Sequence, residues 1–336
     1  MSAGPRVVAL GGGHGLAASL SALRHVTDQL TAVVTVADDG GSSGQLRREF
    51  GCLPPGDLRM ALAALCGDDE WGQLWSLVVQ HRFDSGTEQL APCDGPYAPH
   101  DATYGALAGH AVGNVLILAL WQLLGDSVEG LDYVGRLLGA HGRVLPMSTT
   151  PIHIEADVVL PGSAELTHLT GQVEVATSTG RMVGIQLVPA APVACPQAVA
   201  AIDAADWIVL GPGSWFTSVL PHLLVPGLRD AITRSPGRRL VALNLAPQPG
   251  ETAGYSPEQH LEVLAAHAPD LTLDVVLADE AAVGDPGRLE SVVRTFGAEL
   301  VLARVAADDG TPRHDPKLLA EAYAVVLRDG KIPPWR

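Results

Sequence analysis

Asp38 and Asp39 head the run Asp38-Asp39-Gly40-Gly41-Ser42-Ser43-Gly44, two carboxylates followed at once by glycines and serines. Adjacent Gly and Ser residues can turn successive backbone N–H groups into one concavity that suits an anion. The carboxylates suit Mg²⁺, a sugar hydroxyl or a proton transfer, which makes Asp38 and Asp39 the catalytic candidates. The plainer alternative is that one of them caps a helix or turn and faces solvent. Gly11-Gly12-Gly13-His14-Gly15-Leu16 is a second such run, placed between a strand and a helix where a phosphate can sit on a helix N-terminus. It is neither a P-loop, since no G-K-[ST] follows, nor a dinucleotide fingerprint, whose third glycine would fall on Leu16. A nicotinamide-dependent oxidoreductase is disfavoured on that ground.

Other segments add polar groups. Pro54-Pro55-Gly56-Asp57-Leu58-Arg59 places Asp57 as a helix N-cap and Arg59 either in a forked phosphate contact or paired with Asp57 or another carboxylate. Gly109-His110-Ala111-Val112-Gly113-Asn114 precedes an apolar helix and offers His110 and Asn114 as neutral hydrogen-bonding groups, with no second His at metal spacing. Gly211-Pro212-Gly213-Ser214-Trp215-Phe216-Thr217-Ser218 follows the apolar run Trp207–Leu210. Asn244-Leu245-Ala246-Pro247-Gln248-Pro249-Gly250-Glu251-Thr252 follows Leu240–Leu243. Any one of these could be a turn. Polar loops after several buried strands would instead line one crevice and suit a large phosphate-bearing ligand.

The elements that would position these loops are short apolar strands alternating with helices. Strands are predicted at Arg6–Leu10, Thr31–Val36, Trp207–Leu210, Leu240–Leu243, Leu273–Leu277 and Leu300–Val305. Helices are predicted at Leu16–Leu23, Leu58–Leu65, Trp71–Phe83, Gly113–Leu124, Leu131–Leu138, Pro196–Ala204, Pro257–His267 and Lys317–Leu327. Period-two alternation in Ile152–Val158, with further strands at Gly171–Ala176 and Met182–Val188, makes residues 143–190 a β-rich subregion. Residues 84–108 lack periodicity and are rich in Pro, Gly, Asp and Tyr, which predicts a surface insertion. The expected fold is α/β, Rossmann-like, a mostly parallel sheet flanked by helices with a β-rich extension mid-chain. It forms a single domain over 1–330 with a tail at 331–336.

Composition bounds the function. A chain of 336 residues with 47% hydrophobic content can build a large core. Its 37 glycines and 25 prolines suit loop-rich α/β architecture better than a helical bundle. A net charge of −16 argues against nucleic-acid binding, which needs a basic surface. The 4 cysteines are irregularly spaced with no C-x-x-C pair, as for reduced thiols rather than a zinc site or disulfide framework. No secretory signal pattern opens the sequence, and Val115–Leu124 is half a membrane span. The reading is a soluble cytoplasmic protein.

The chain resembles the YvcK/CofD-like family, specifically its YvcK branch, the gluconeogenesis factors. The resemblance is carried by G-G-G-x-G-L at Gly11–Leu16, T-V-A-D-D-G-G-S-S-G at Thr35–Gly44 and P-P-G-D-L-R at Pro54–Arg59. It continues through G-H-x-x-G-N at Gly109–Asn114, G-P-G-S-x-x-T-S at Gly211–Ser218, Q-P-G-E-T at Gln248–Thr252 and R-H-D at Arg313–Asp315. It implies a cytoplasmic binder of UDP-sugars of the UDP-N-acetylglucosamine type, supporting cell shape and wall-precursor supply during gluconeogenic growth. Wall-synthesis or regulatory proteins are implied as partners and a homo-oligomer is compatible with it. No cofactor is required, with Mg²⁺ at Asp38 or Asp39 as the one metal option. The implied ligand residues are Gly11, Gly12, Gly13, His14, Gly15, Asp38, Asp39, Gly40, Gly41, Ser42, Ser43, Asp57, Arg59, His110, Asn114, Gly211, Gly213, Ser214, Thr217, Ser218, Asn244, Gln248, Glu251 and Thr252. Tyr255 and Arg313 join them through the resemblance, by stacking or hydroxyl bonding and by pairing with a diphosphate.

The CofD branch implies the alternative. There the protein is a transferase moving a phospholactyl-type group from a nucleotide diphosphate donor to a deazaflavin, with Asp38 or Asp39 holding Mg²⁺ or deprotonating the acceptor. This chain departs from the family at His14, where Thr is common, and at Asn244–Gln248, where N-x-M-T-Q is common and Pro247 removes a hydroxyl. Its 84–108 insertion is longer than the family's. The residue after R-H-D is Pro316, which excludes phosphorylation there.

Overall fold

The computed structural model describes residues 4–83, 105–248 and 250–329. Apart from residues 105–108, the expected insertion lies outside them, as does the 331–336 tail. Among the described residues ten strands run in chain order as β1 (Val7–Gly11), β2 (Leu30–Val34), β3 (Arg143–Pro146), β4 (His153–Val159), β5 (Leu166–Thr170), β6 (Arg181–Val188), β7 (Trp207–Leu210), β8 (Arg238–Ala242), β9 (Val275–Asp279) and β10 (Glu299–Ala303). The helices before β3 are α1 (Gly13–Leu23), α2 (Gly41–Phe50), α3 (Gly56–Ala64), α4 (Glu70–Gln80), α5 (Val112–Leu124) and α6 (Ser127–Leu138). After it come α7 (Gln172–Thr177), α8 (Pro196–Asp203), a π-helical turn at Trp215–Val219, α9 (Pro221–Leu224), α10 (Pro226–Arg234), α11 (Pro257–His267), α12 (Pro286–Thr295) and α13 (Pro316–Asp329).

Seven strands form one parallel sheet in the order β10-β9-β8-β7-β1-β2-β3. The chain winds outward from β1 through β2 to β3, then returns to β7 on the other side of β1 and continues to β10. β1 and β7 therefore flank the point where the strand order reverses, with Leu10 beside Leu210. Strands covered on both faces must be apolar throughout, which is why Val7–Gly11 and Trp207–Leu210 are continuously buried and show no alternation. α1 packs against α3 and α13, and the Ser19 hydroxyl meets the Tyr323 hydroxyl at 2.8 Å inside that contact. Among the described residues no helix is long and apolar enough to cross a membrane.

Trp207–Leu210 and Pro257–His267 fall where periodicity put them, the latter opened by a capping box between Ser256 and Gln259. Three expectations are corrected. Residues 143–146 belong to the main sheet, beside β2, so the β-rich extension is the separate antiparallel sheet β5-β4-β6. Residues 172–177 are helix, not strand. The donors of their first turn are met by a carboxylate from another element, which a local window cannot see. Gly41–Gly44 are likewise not loop but the first turn of α2. The free segment after β2 is only Thr35–Gly40, and Ser42 and Ser43 are buried.

Candidate functional site

A crevice of about 660 Å³ opens over the strand ends at the reversal point. Its floor is Gly12, Gly13, His14 and Gly15 from the β1–α1 turn, facing Pro212, Gly213 and Ser214 beyond β7. Asp57 and Ser218 lie between them, and Asn244 to Gln248, Gln172, and Ala307 with Pro312 to Pro316 complete the walls. The two glycine turns touch. A methyl group at Gly15 would collide with the Pro212 carbonyl and lie 2.5 Å from Gly213 Cα. One on Gly12 would lie 2.5 Å from Asp57 Oδ2 and collide with Thr35. These are the physical reasons for glycine here.

The N-terminal N–H groups of α1 have no acceptor within the helix, and its N-cap, Gly12, carries no side chain. That end is a positive pole that a phosphate would satisfy. Asp57 lies against this turn, its Oδ2 beside Gly12, and burial, reinforced by nearby Asp38, pushes its carboxyl up to about 7. Asp57 is therefore not the N-cap of α3. That helix begins at Gly56, and the carboxyl leaves its own backbone for the glycine turn. Asp38 is also raised, first by burial and in part by Asp39, while its Oδ1 accepts the Gly40 N–H at 2.9 Å. Burial holds the His314 imidazole down at about 4.

Other candidates serve the walls. Asn244 clasps Gly213 from both sides, accepting its N–H at 2.9 Å and donating to its carbonyl at 2.8 Å. Glu251 accepts the Phe216 N–H at 3.0 Å and the Thr217 hydroxyl at 2.5 Å, so both acid and hydroxyl are consumed in holding the π-helical turn. The Thr252 hydroxyl accepts from Gln248 N at 2.8 Å. Arg313 lies on the rim, exposed, its guanidinium bonded to Thr311 and Asp309. Tyr255 does not line the crevice; its ring packs edge-on against Phe216 and His260 behind the wall.

A second group is gathered away from the crevice. Arg59 donates through Nε to Asn114 Oδ1 at 3.0 Å and through Nη1 to Gln80 at 3.3 Å. Asn114 donates to the Ser42 hydroxyl at 3.0 Å, which also meets His110 Nδ1 at 2.9 Å. Among the described residues no carboxylate pairs with Arg59, which pins α3 to α5. Gly11, Gly40, Gly41, Ser43 and Gly211 frame turns and helix starts without lining the crevice.

Asp39 is not among the residues lining the crevice. Both its oxygens accept N–H groups at the start of α7, from Gln172 at 3.1 Å and Val173 at 3.0 Å. Two residues escaped the sequence analysis. Gln172 lines the crevice, yet it sits in a stretch read as strand. Arg47, on α2, is 8% exposed, and among the described residues neither of its Nη atoms has a hydrogen-bond partner. Its only local signal was helical spacing from Ser43. Among the described residues no cluster of three or more His, Cys, Asp or Glu is arranged to hold a metal ion.

Residues 7–293 match the family of 2-phospho-L-lactate transferase CofD. A Mycobacterium tuberculosis (strain ATCC 25618 / H37Rv) relative carrying the gluconeogenesis-factor name is 50% identical over 96% of this chain and 91% of its own length. The gluconeogenesis factor of Bacillus subtilis (strain 168) is 32% identical over 97% of this chain and 99% of its own. A crystal structure of a UPF0052-family protein from Bacillus halodurans superposes with a TM-score of 0.80 at 30% identity, covering 96% of this chain and 99% of that one.

Proposed function

We propose, from the premise that this chain belongs to the CofD/YvcK family and to its gluconeogenesis-factor branch, that the crevice binds a UDP-sugar of the UDP-N-acetylglucosamine type. Binding there lets the protein couple nucleotide-sugar supply to cell shape and wall synthesis on gluconeogenic carbon. The observation that carries this reading is the meeting of two glycine turns at the sheet's reversal point, over the open N-terminus of α1. Ligands of open α/β sheets bind at such points, and a helix N-terminus suits the diphosphate. The crevice volume lies within the range of small-molecule sites. The resident partners of such a regulator are proteins of wall-precursor supply.

A second reading, a CofD-type transferase, is favoured by one observation, the buried carboxyl of Asp57 raised to about 7 with Asp38 nearby. Asp38 would hold Mg²⁺, which is bound through one or two carboxylates together with phosphate oxygens. Bound there it would neutralise phosphate charge. Asp57, titrating near neutrality, would accept the proton of an acceptor hydroxyl as that oxygen attacks phosphorus and the nucleotide leaves with the bonding pair. Calorimetry with UDP-N-acetylglucosamine, UDP-glucose, GDP and a deazaflavin, with and without Mg²⁺, separates the readings. Saturable UDP-sugar binding without turnover supports the regulator. Binding of GDP and deazaflavin but no UDP-sugar overturns it.

A further inference from the structure

Gln172 and Gln248 reach the crevice from opposite origins, one from the first turn of α7 and one from the loop after β8. Each has a side-chain Oε1 that is shut off from solvent and, among the described residues, has no hydrogen-bond partner. A buried acceptor is costly to leave unmet, and here two occur in the walls of the same crevice. Both side chains have a soft terminal amide torsion, so a small rotation turns each oxygen into the space their own atoms already line. Only the backbones are anchored. The Gln172 backbone is fixed by Asp39 through its N–H at 3.1 Å, and the Gln248 N–H is fixed by Thr252 at 2.8 Å. Both backbones are held while both amide heads stay unused.

We infer that Gln172 and Gln248 are specificity residues. Their carbonyl oxygens accept hydrogen bonds from the uncharged, donor-rich part of the ligand, the hydroxyl and amide N–H groups of a hexose. This rests on the nucleotide-sugar reading above and adds which groups of the ligand are recognised. The diphosphate belongs to the α1 end, where the free N–H groups are. Two acceptors in the walls of one crevice reward a hydroxylated ring. Asp39 enters as a positioning residue, holding the turn from which Gln172 projects.

The test is calorimetric titration of the full chain with UDP-N-acetylglucosamine and, separately, with UDP. Gln172→Leu, Gln248→Leu and the acceptor-retaining Gln172→Glu are compared with the wild type, and thermal melting confirms folding. The expected result is a 5- to 30-fold loss of UDP-N-acetylglucosamine affinity in each Leu variant. UDP affinity stays within about twofold, and Gln172→Glu recovers part of the loss. If a Leu variant binds both ligands as the wild type does, the inference is overturned while the nucleotide-sugar reading stands. Equal weakening for both ligands also overturns it, because the amides then meet the nucleoside and not the sugar. If the wild type binds neither ligand, the nucleotide-sugar reading fails and this inference with it.

Discussion

Asp39 and Gln172 lie 133 positions apart in the chain and are joined by a single hydrogen bond of 3.1 Å, carboxylate to backbone N–H. With its companion to Val173, this bond caps a helix that has no cap of its own, since Gly171 supplies no side chain. It also ties the antiparallel sheet region to the loop after β2. A residue whose type suggested metal binding or catalysis is spent on assembling the crevice wall.

Asp39→Ala is therefore expected to destabilise the fold by about 1–2 kcal/mol, the usual cost of a lost helix cap, with faster amide exchange in 171–177. Asp39→Asn, which keeps one acceptor, is expected to lose less. Urea denaturation of the two variants checks the order, and equal stability of Asp39→Ala and wild type would remove the cap from the account.

His222 sets an acid limit on stability. Its Nε2 donates to the Val33 carbonyl at 3.0 Å, and burial lowers its pKa to about 4. The unfolded chain takes up a proton near pH 6.5 while the folded chain resists it, so stability is full above that pH and falls as pH drops from 6.5 towards 4. The contribution is about 3 kcal/mol. Asp57, raised to about 7, acts in the opposite sense, losing stability as pH rises from about 4 to 7. The His222 effect must therefore be read as a difference. In denaturation series at several pH values, the gap between wild type and His222→Gln should shift by about that amount between pH 7 and 4, in favour of the variant at low pH. A constant gap would refute it.

Asn114→Ala should separate structure from ligand binding. It leaves the Arg59 Nε, buried and charged, without its partner, an expected cost of about 2–4 kcal/mol. UDP-sugar affinity should change less than about threefold, since neither residue lines the crevice. A large affinity loss in a protein of normal stability would return Arg59 to the ligand site.

Arg313→Ala should do the reverse. The side chain is 72% exposed, so its removal should leave melting nearly unchanged. It should weaken UDP-sugar binding by about tenfold through loss of a charge near the diphosphate, and the wild-type affinity should fall more steeply with salt than the variant's. Unchanged affinity would take Arg313 out of the site.

The strand-and-helix alternation and the glycine turns were legible in the sequence because both are local signals. Trp207–Leu210 is apolar throughout, and Gly12 and Gly15 sit where a side chain would strike another loop. Partnerships between distant residues were not legible. Nothing near residue 172 says that a helix starts there, because its cap is Asp39. Nothing near Arg59 says that its partners are the amides of Gln80 and Asn114 instead of a phosphate. Asp57 looked like a cap for its own helix and instead reaches the turn before α1. Which polar residues are free to meet a ligand depends on what the rest of the fold has already taken, and that is not written in residue type.

The most direct measurement of the central claim is calorimetric titration of UDP-N-acetylglucosamine into the wild type and Gly15→Val, whose side chain would fill the contact between the two glycine turns. Saturable one-to-one binding by the wild type, weakened at least 30-fold in a variant that still melts cooperatively, is the predicted result. Equal affinity of the two proteins, or no binding by the wild type, would contradict it.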